Sequence, residues 1–216
     1  MDNIANNDNI DNVDNVDNIS KVDNSIISGK KIGFCITASF CTLADIMNPL
    51  KTLVGLGADI YPIVSQAVAS NSSRFHDKDE FLGSIVDITG NELIQTSAQA
   101  EPLGPKNPMD LIIIAPTTGN TLAKIANGIW EGAVPMATKA TLRNNKPILI
   151  AITTNDALGT NGVNLMKLYN SKNIYFVPFG QDDPINKPNS MAADLSKLVE
   201  AATAALHGKQ LQPAII

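Results

Sequence analysis

From Lys30 onward, the chain alternates between two patterns of apolar and polar residues. Short runs that are almost entirely aliphatic, such as residues 110–116 (DLIIIAP), are typical of strands buried on both faces. Longer segments repeat their apolar residues every three to four positions, as amphipathic helices do. Because the two kinds of segment follow one another along the chain, the pattern predicts a parallel sheet with helices on both faces.

The predicted elements make up one domain. Strands are predicted over residues 30–37, 59–65, 110–116, 146–153 and 173–179. Helices are predicted over residues 41–57, 79–90, 121–130, 134–145, 161–171 and 190–208. The fold class that follows is α/β, with a single doubly wound, Rossmann-like sheet over residues 29–209 and a short C-terminal tail over 210–216.

The first 28 residues are predicted to be a disordered tail rich in Asp and Asn. Residues 1–24 repeat Asp-Asn-Ile/Val every three positions, a period that fits neither a helix nor a strand. Six aspartates and one lysine in this stretch account for the whole formal net charge of −5. The rest of the chain is neutral, so charge gives no reason to expect nucleic acid or a membrane surface as a partner.

Other sequence features exclude several classes of protein. The two cysteines, Cys35 and Cys41, both lie in apolar stretches and are interpreted as small buried hydrophobes. Neither a disulfide framework nor a metal site is predicted. No apolar run approaches the roughly 18 residues that cross a membrane. Since no export leader begins the chain, a cytoplasmic location is expected.

Two loops at strand ends carry the candidate ligand chemistry. Ligands of doubly wound sheets bind beyond the carboxyl ends of the strands, where the loops over residues 37–42 and 116–121 are rich in hydroxyl and amide groups. A helix that starts there offers unpaired N–H groups and roughly half a positive charge, which favours phosphate. Capping alone also selects Ser, Thr and Asn, but two such loops predict a phosphate-bearing ligand. The lack of G-x-G-x-x-G favours a mononucleotide such as a flavin over a dinucleotide.

Two segments resemble a known family of flavoproteins, related to the flavin-containing cysteine decarboxylases and the aromatic-acid prenyltransferases. KKIGFCITAS (30–39) is similar to the family's G-x-T-G-S segment, and IIIAPTTGNTLAKIANG (112–128) to its APASANTIAKIAxG segment. The resemblance implies a flavoprotein-type fold, FMN as a cofactor and a homo-oligomer. The matching cofactor-binding positions are Thr37, Ala38, Ser39, Pro116, Thr117, Thr118, Asn120, Thr121 and Lys124.

Four further strings resemble one branch of this family, the B subunits of two-subunit oxidoreductases. They are AEPLGPKNPMD, KATLRNNKP, TNDALGTNG and PFGQDDPINKPNSM. The likeness implies a partner A subunit with a dinucleotide fold, which uses NADPH or NADH. It also implies oxidation of a dihydropyridine dicarboxylate, or its hydrated precursor, to pyridine-2,6-dicarboxylate. The implied setting is the cytoplasm of the mother cell of a sporulating bacterium.

A dicarboxylate substrate requires cations and a base. Arg74 and Lys139 lie in or beside strand-end loops and are predicted to bind the carboxylates, with a solvated surface role as the alternative for each. His76, Asp156 and Asp182 are candidates for the base that removes the proton, and the sequence does not choose among them. Each acid also fits a plain capping or turn role, and His76 fits a surface loop.

Two other functions stay open at this point. One is an independent FMN-dependent decarboxylase or prenyltransferase-like enzyme. Residues 138–141 (TKAT) stand where we place the family's P-x-M-N segment, which handles the substrate carboxylate, and this difference argues against decarboxylation. The other is a non-catalytic module that binds the dicarboxylate or FMN and steadies the A subunit.

Overall fold

The centre of the molecule is a single twisted sheet. The structure, a computed structural model, describes residues 24–75 and 77–216, so most of the predicted tail and His76 lie outside the described residues. In this part of the chain, seven strands form the sheet. The five parallel strands are β1 (Lys31–Ile36), β2 (Asp59–Val64), β3 (Leu111–Thr117), β4 (Ile148–Thr154) and β5 (Ile174–Phe176).

The order of these five strands is β2-β1-β3-β4-β5. The chain therefore winds outward in one direction from β1 to β2 and in the other from β3 to β5. This is the doubly wound order of flavodoxin-like sheets, with its reversal between β1 and β3. It confirms the predicted fold class.

Helices cover both faces of the sheet. They are α1 (Met47–Gly55), α2 (Gln66–Ser70), α3 (Lys78–Thr89), α4 (Ser97–Ala100), α5 (Gly119–Ala126), α6 (Ala133–Leu142), α7 (Gly162–Tyr169) and α8 (Leu198–Leu206). Apolar residues of α1, α3 and α8 pack in one core, and those of α4 to α7 pack in the other.

The two cores are separated by the strict alternation of side chains along the strands. In β3, Leu111, Ile113 and Ala115 belong to the core under α1, α3 and α8, whereas Ile112 and Ile114 belong to the opposite core. All seven residues of β3 are buried. This explains why the strand reads as a continuous aliphatic run in the sequence.

The helix predicted over residues 190–208 was wrong in its first third. Met191–Ala193 forms a strand, β7, which pairs antiparallel with Thr153 and Thr154 of β4 and with β6 (Phe179–Gly180). Helix propensity favoured the other assignment because Met and Ala are good helix formers. The end of β4 offers backbone partners that outweigh this propensity, and Asp194 then caps a 3-10 turn before α8 begins at Leu198.

Both ends of the described chain are tied to the domain. Asn24–Ile27 forms a 3-10 turn, and Ile27 is fully buried, although the sequence analysis placed it in the tail. At the other end, the Gln210 side chain accepts from the Phe176 N–H over 2.8 Å and donates to the Phe176 carbonyl over 2.7 Å. The domain therefore extends beyond residues 29–209 in both directions.

Candidate functional site

One buried hydroxyl joins the strand ends at the switch point. Thr37, which follows β1, donates from Oγ1 to the Pro116 carbonyl over 2.7 Å and accepts from the Thr118 N–H over 2.9 Å. Thr37 is only 1% exposed. The loops after β1 and β3 therefore lie side by side, as the sequence analysis required for a shared ligand.

The corner after β3 leads directly into α5. Thr118 is the N-cap of this helix, and its Oγ1 accepts from the Thr121 N–H over 3.4 Å. Helix geometry leaves the first N–H groups without partners inside the helix. No hydrogen bond found among the described residues uses the N–H groups of Gly119 or Asn120. Gly119 is buried whereas Asn120 is exposed, so the Asn120 N–H is the donor available to a ligand.

A cleft of about 540 Å³ opens at this edge of the sheet. Helices α2, α5 and α6 all begin on its wall. Because each N-terminus carries roughly half a positive charge, the cleft favours an anion without a cluster of basic side chains. The lining residues are Thr37, Ala38, Ser65, Gln66, Ala67, Ser70, Asn71, Thr118, Asn120, Thr121, Lys124, Glu131, Gly132, Ala133, Val134 and Pro135.

The start of α6 combines free N–H groups with an apolar surface. Its N-cap, Gly132, has φ +99°, a conformation that favours glycine, and its N–H donates to Ser97 Oγ over 3.0 Å. The N–H groups of Ala133 and Val134 take part in no hydrogen bond found in the described structure, and Pro135 has no N–H. This wall suits a ligand that carries both an aromatic body and an anionic group.

The charged side chains of the cleft form an ion pair. Lys124 Nζ lies 3.1 Å from Glu131 Oε2, and the two side chains are 29% and 83% exposed. Lys124 lies one helical turn beyond Asn120, so both can face the same ligand. Among the described lining residues, Lys124 is the sole cation. The formal charges of this pair cancel, and the helix N-termini provide the remaining positive potential.

The predicted cofactor-binding residues divide into two groups. Ser39, Pro116 and Thr117 do not line the cleft. Thr117 is fully buried, and its hydroxyl donates to the Ile114 carbonyl over 2.6 Å. The six that do line the cleft are Thr37, Ala38, Thr118, Asn120, Thr121 and Lys124.

Neither of the two predicted substrate-binding cations belongs to the cleft. The Arg74 guanidinium lies over the Phe75 ring, 4.7 Å from its centroid. Lys139 is exposed on α6. Lys124, predicted only as a cofactor ligand, is therefore better placed for a carboxylate than either of them.

Residues 138–141 form part of the interior of α6. Thr138 and Thr141 are fully buried, and the Thr138 hydroxyl donates to the Val134 carbonyl over 2.9 Å. This segment is a packed helix and not a loop that could hold a substrate. Its sequence therefore does not argue against decarboxylation.

The candidate bases have different surroundings. Asp156 accepts from the Thr154 hydroxyl over 2.5 Å and from Asn161 Nδ2 over 2.7 Å, and it does not line the cleft. Asp182 lies in the loop between β6 and β7, 3.3 Å from Lys187 Nζ. Partial burial raises the pKa of Asp182, but hydrogen bonds from Ser190, its own backbone and Lys187 outweigh it and leave this pKa below its usual value. A lowered pKa makes Asp182 a weaker proton acceptor.

Sequence reasoning missed two walls of the cleft. Residues 65–71 contain α2, a helix too short to show a period, and residues 131–135 were treated only as a helix start. The N-cap Ser65 was the one local signal for α2. Cys41 is exposed, against the interpretation as a buried hydrophobe, whereas burial raises the pKa of the Cys35 thiol and keeps it protonated.

Two other kinds of feature are absent from the described residues. No group of three or more His, Cys, Asp or Glu side chains there could hold a metal ion. No helix in the same residues has both the length and the apolar character needed to span a bilayer.

Comparison with known proteins assigns the chain to a family. The Flavoprotein family matches residues 21–206, so the chain belongs to the Flavoprotein family. It is 48% identical over 192 residues to the B subunit of dipicolinate synthase from Bacillus subtilis (strain 168), covering 89% of this chain and 96% of that protein. These matches confirm the resemblance that the sequence motifs predicted.

Solved structures support the same assignment. The crystal structure of the dipicolinate synthase B subunit from Bacillus halodurans C has a TM-score of 0.82 and 45% identity, covering 88% of this chain and 97% of that one. The FMN-dependent cysteine decarboxylase SpaF has a TM-score of 0.60 at 19% identity, covering 84% of this chain and 99% of that one. At that identity, the second match shows a shared fold.

Proposed function

We propose that this chain is the B subunit of a dipicolinate synthase. With a dinucleotide-binding A subunit, which would accept the hydride on NADP⁺ or NAD⁺ and so form NADPH or NADH, it oxidises dihydrodipicolinate or its hydrated precursor to pyridine-2,6-dicarboxylate. The observation that carries this proposal is the 48% identity to the Bacillus subtilis protein over 96% of its length. The expected setting is the cytoplasm of the mother cell during sporulation, with the chain as a homo-oligomer.

FMN fits the cleft by the chemistry of its donors. The free N–H group of Asn120 at the start of α5 would hold the phosphate, and the apolar residues at the start of α6 would flank the ring. The volume, about 540 Å³, lies within the roughly 300–1,000 Å³ of small-molecule sites. When bound, FMN supplies a hydride acceptor.

For the dicarboxylate, Lys124 is the cation that the geometry favours. It lines the cleft, and Glu131 holds its ammonium group there in the absence of an anion. Arg74 and Lys139 stay predictions that depend on contacts outside the cleft. His76 stays the candidate base, because both oxygens of Asp156 already accept hydrogen bonds and the pKa of Asp182 is lowered.

Reconstitution with the A subunit tests the proposed function. Each purified subunit and their mixture would be supplied with substrate and NADP⁺ or NAD⁺, and reduction of the cofactor would be followed by absorbance. We expect oxidation only from the mixture. Full activity from the A subunit alone would contradict a role for this chain in the reaction.

Two other functions have distinct signatures. An independent decarboxylase remains the second candidate, because residues 138–141 do not argue against it and the fold is shared with a cysteine decarboxylase. Release of carbon dioxide by this chain without a partner would favour it. For a non-catalytic binding role, loss of the mixture's activity in Lys124→Gln with assembly intact would separate a ligand-binding module from a mere scaffold.

A further inference from the structure

Asp156 is the last acceptor in a chain of amide hydrogen bonds that connects α7 with α5. Asn161 Nδ2 donates to Asp156 Oδ2 over 2.7 Å, and Asn164 Nδ2 donates to Asn161 Oδ1 over 2.9 Å. Asn127 Nδ2 donates to Asn164 Oδ1 over 3.1 Å and to the Ala123 carbonyl over 2.9 Å. Because an ionised carboxylate can only accept, Asp156 fixes the direction of each amide in this chain.

The same network abuts the first turn of α5. A Cβ atom at Gly119 would lie 2.7 Å from both Asn161 Nδ2 and Thr154 Oγ1, and 2.8 Å from Asp156 Oδ1. Because Gly119 has no side chain, the start of α5 can pack directly against these groups. At the other end of α5, Asn127 is the C-cap residue. The network therefore contacts both the first residue and the C-cap of the helix.

We propose that Asp156 is a positioning residue that fixes the position of α5 relative to α7. Both of its carboxylate oxygens are held, by Thr154 and Asn161, and the residue does not line the cleft. Its effect on a ligand passes through the N–H groups at the start of α5. The inference depends on the proposed function only where it concerns FMN, since hydrogen exchange in α5 can be measured without a ligand.

The direction of the amide chain supplies a specific test. In Asp156→Ala, the Thr154 hydroxyl and Asn161 Nδ2 both lose their acceptor, so the amide chain loses the group at which it ends. In the double variant Asp156→Asn/Asn161→Asp, the amide at position 156 donates to a carboxylate at position 161. That carboxylate still accepts from Asn164, and the Thr154 hydroxyl still finds an acceptor. The double variant restores each bond with the charge moved by one residue.

Hydrogen exchange of the peptide over residues 118–128 and flavin-fluorescence titration with FMN would be measured for both variants. For Asp156→Ala we expect about tenfold faster exchange in α5 and about tenfold weaker FMN binding, because a partly buried hydrogen-bond network loses its acceptor. The double variant should bring both quantities back to within about twofold of the wild type. Asp194→Ala, which removes a cap before α8, is the matched control and should change neither.

Each other outcome has a definite meaning. Unchanged exchange in Asp156→Ala would overturn the inference. It would also be overturned if the double variant recovered normal exchange but not FMN binding, because Asp156 would then act on the ligand itself. Failure of the wild type to bind FMN would count against the proposed cofactor, and the exchange experiment would still decide the role of Asp156.

Discussion

The corners after β1 and β3 look alike in the sequence and differ in the structure. After β1 the chain passes Ser39, which makes no side-chain cap bond, enters a 3-10 turn over Phe40–Thr42, and starts α1 only at Met47. After β3, Thr118 caps α5, which begins at the next residue. The first corner braces the second through Thr37, and the second presents a helix N-terminus to the cleft.

The difference shows that a corner rich in hydroxyl groups can have either of two roles. Where the helix starts at the corner, the backbone N–H groups become ligand donors. Where the helix starts later, the hydroxyl groups serve the fold, as the buried Thr37 does. The position of the helix start therefore decides the role, and the number of Ser and Thr residues does not.

Gly119→Ala should have the largest effect on the corner after β3. The added methyl group would overlap with polar atoms of Thr154, Asp156 and Asn161, and Asp156 accepts hydrogen bonds from the other two side chains. We expect a loss of about 3 kcal/mol in the free energy of unfolding, measured by denaturant titration. Gly83→Ala in α3 is the control, since its methyl group meets nothing within 4 Å. That change should stabilise the protein by about 0.5–1 kcal/mol, and a similar loss at both sites would contradict the close packing at Gly119.

Thr37→Val should show that, in the corner after β1, the Thr37 hydroxyl stabilises the protein and Ser39 does not. It leaves the Pro116 carbonyl and the Thr118 N–H without their partner, which costs about 2 kcal/mol in unfolding free energy. Thr37→Ser keeps the hydroxyl group and should lose less than half as much. Ser39→Ala should change stability by less than about 0.5 kcal/mol. If Ser39→Ala were as costly as Thr37→Val, the two roles assigned within this corner would be wrong.

Thr118→Ala removes the cap of α5. A lost N-cap costs about 1 kcal/mol in unfolding free energy, and the first turn of the helix should loosen. We expect weaker FMN binding by a few-fold in the same variant, measured by fluorescence titration. Ser65→Ala, which removes the cap of the five-residue α2, is the comparison and should affect stability less. An unchanged FMN affinity in Thr118→Ala would show that the phosphate does not bind at the start of α5.

Glu131→Gln should have the smallest effect. It releases Lys124 from an exposed ion pair, so FMN affinity should rise by about twofold to threefold at low salt. Glu200→Gln breaks a similar pair with Lys197 outside the cleft and should leave affinity unchanged. A decrease in affinity for Glu131→Gln would show that Glu131 supports binding and does not compete for Lys124.

The sequence was sufficient for the five parallel strands of the sheet and for one wall of the cleft. The aliphatic run of β3 is buried throughout, so the parallel sheet followed from hydrophobicity alone. The Thr118 cap is local chemistry, which a sequence shows directly. Strand β7 was missed because its pairing with β4 is a long-range contact that overrides helix propensity.

The details of the site depended on contacts that no local pattern records. Thr117 and Thr118 are neighbours of the same type, yet one hydroxyl is buried against the Ile114 carbonyl and the other lines the cleft. Arg74 and Lys139 were chosen for their charge, but their direction depends on how α6 and the loop after α2 pack. Asp156 was predicted as a base because its partner Asn161 becomes visible only in the fold.

The most direct test of the ligand cleft is a pair of fluorescence titrations of the wild-type chain, one with FMN and one with riboflavin, which lacks only the phosphate. If the N-terminus of α5 holds that phosphate, one FMN should bind per chain, at least about tenfold more tightly than riboflavin. Equal affinities for the two flavins, or no binding of FMN, would contradict the account.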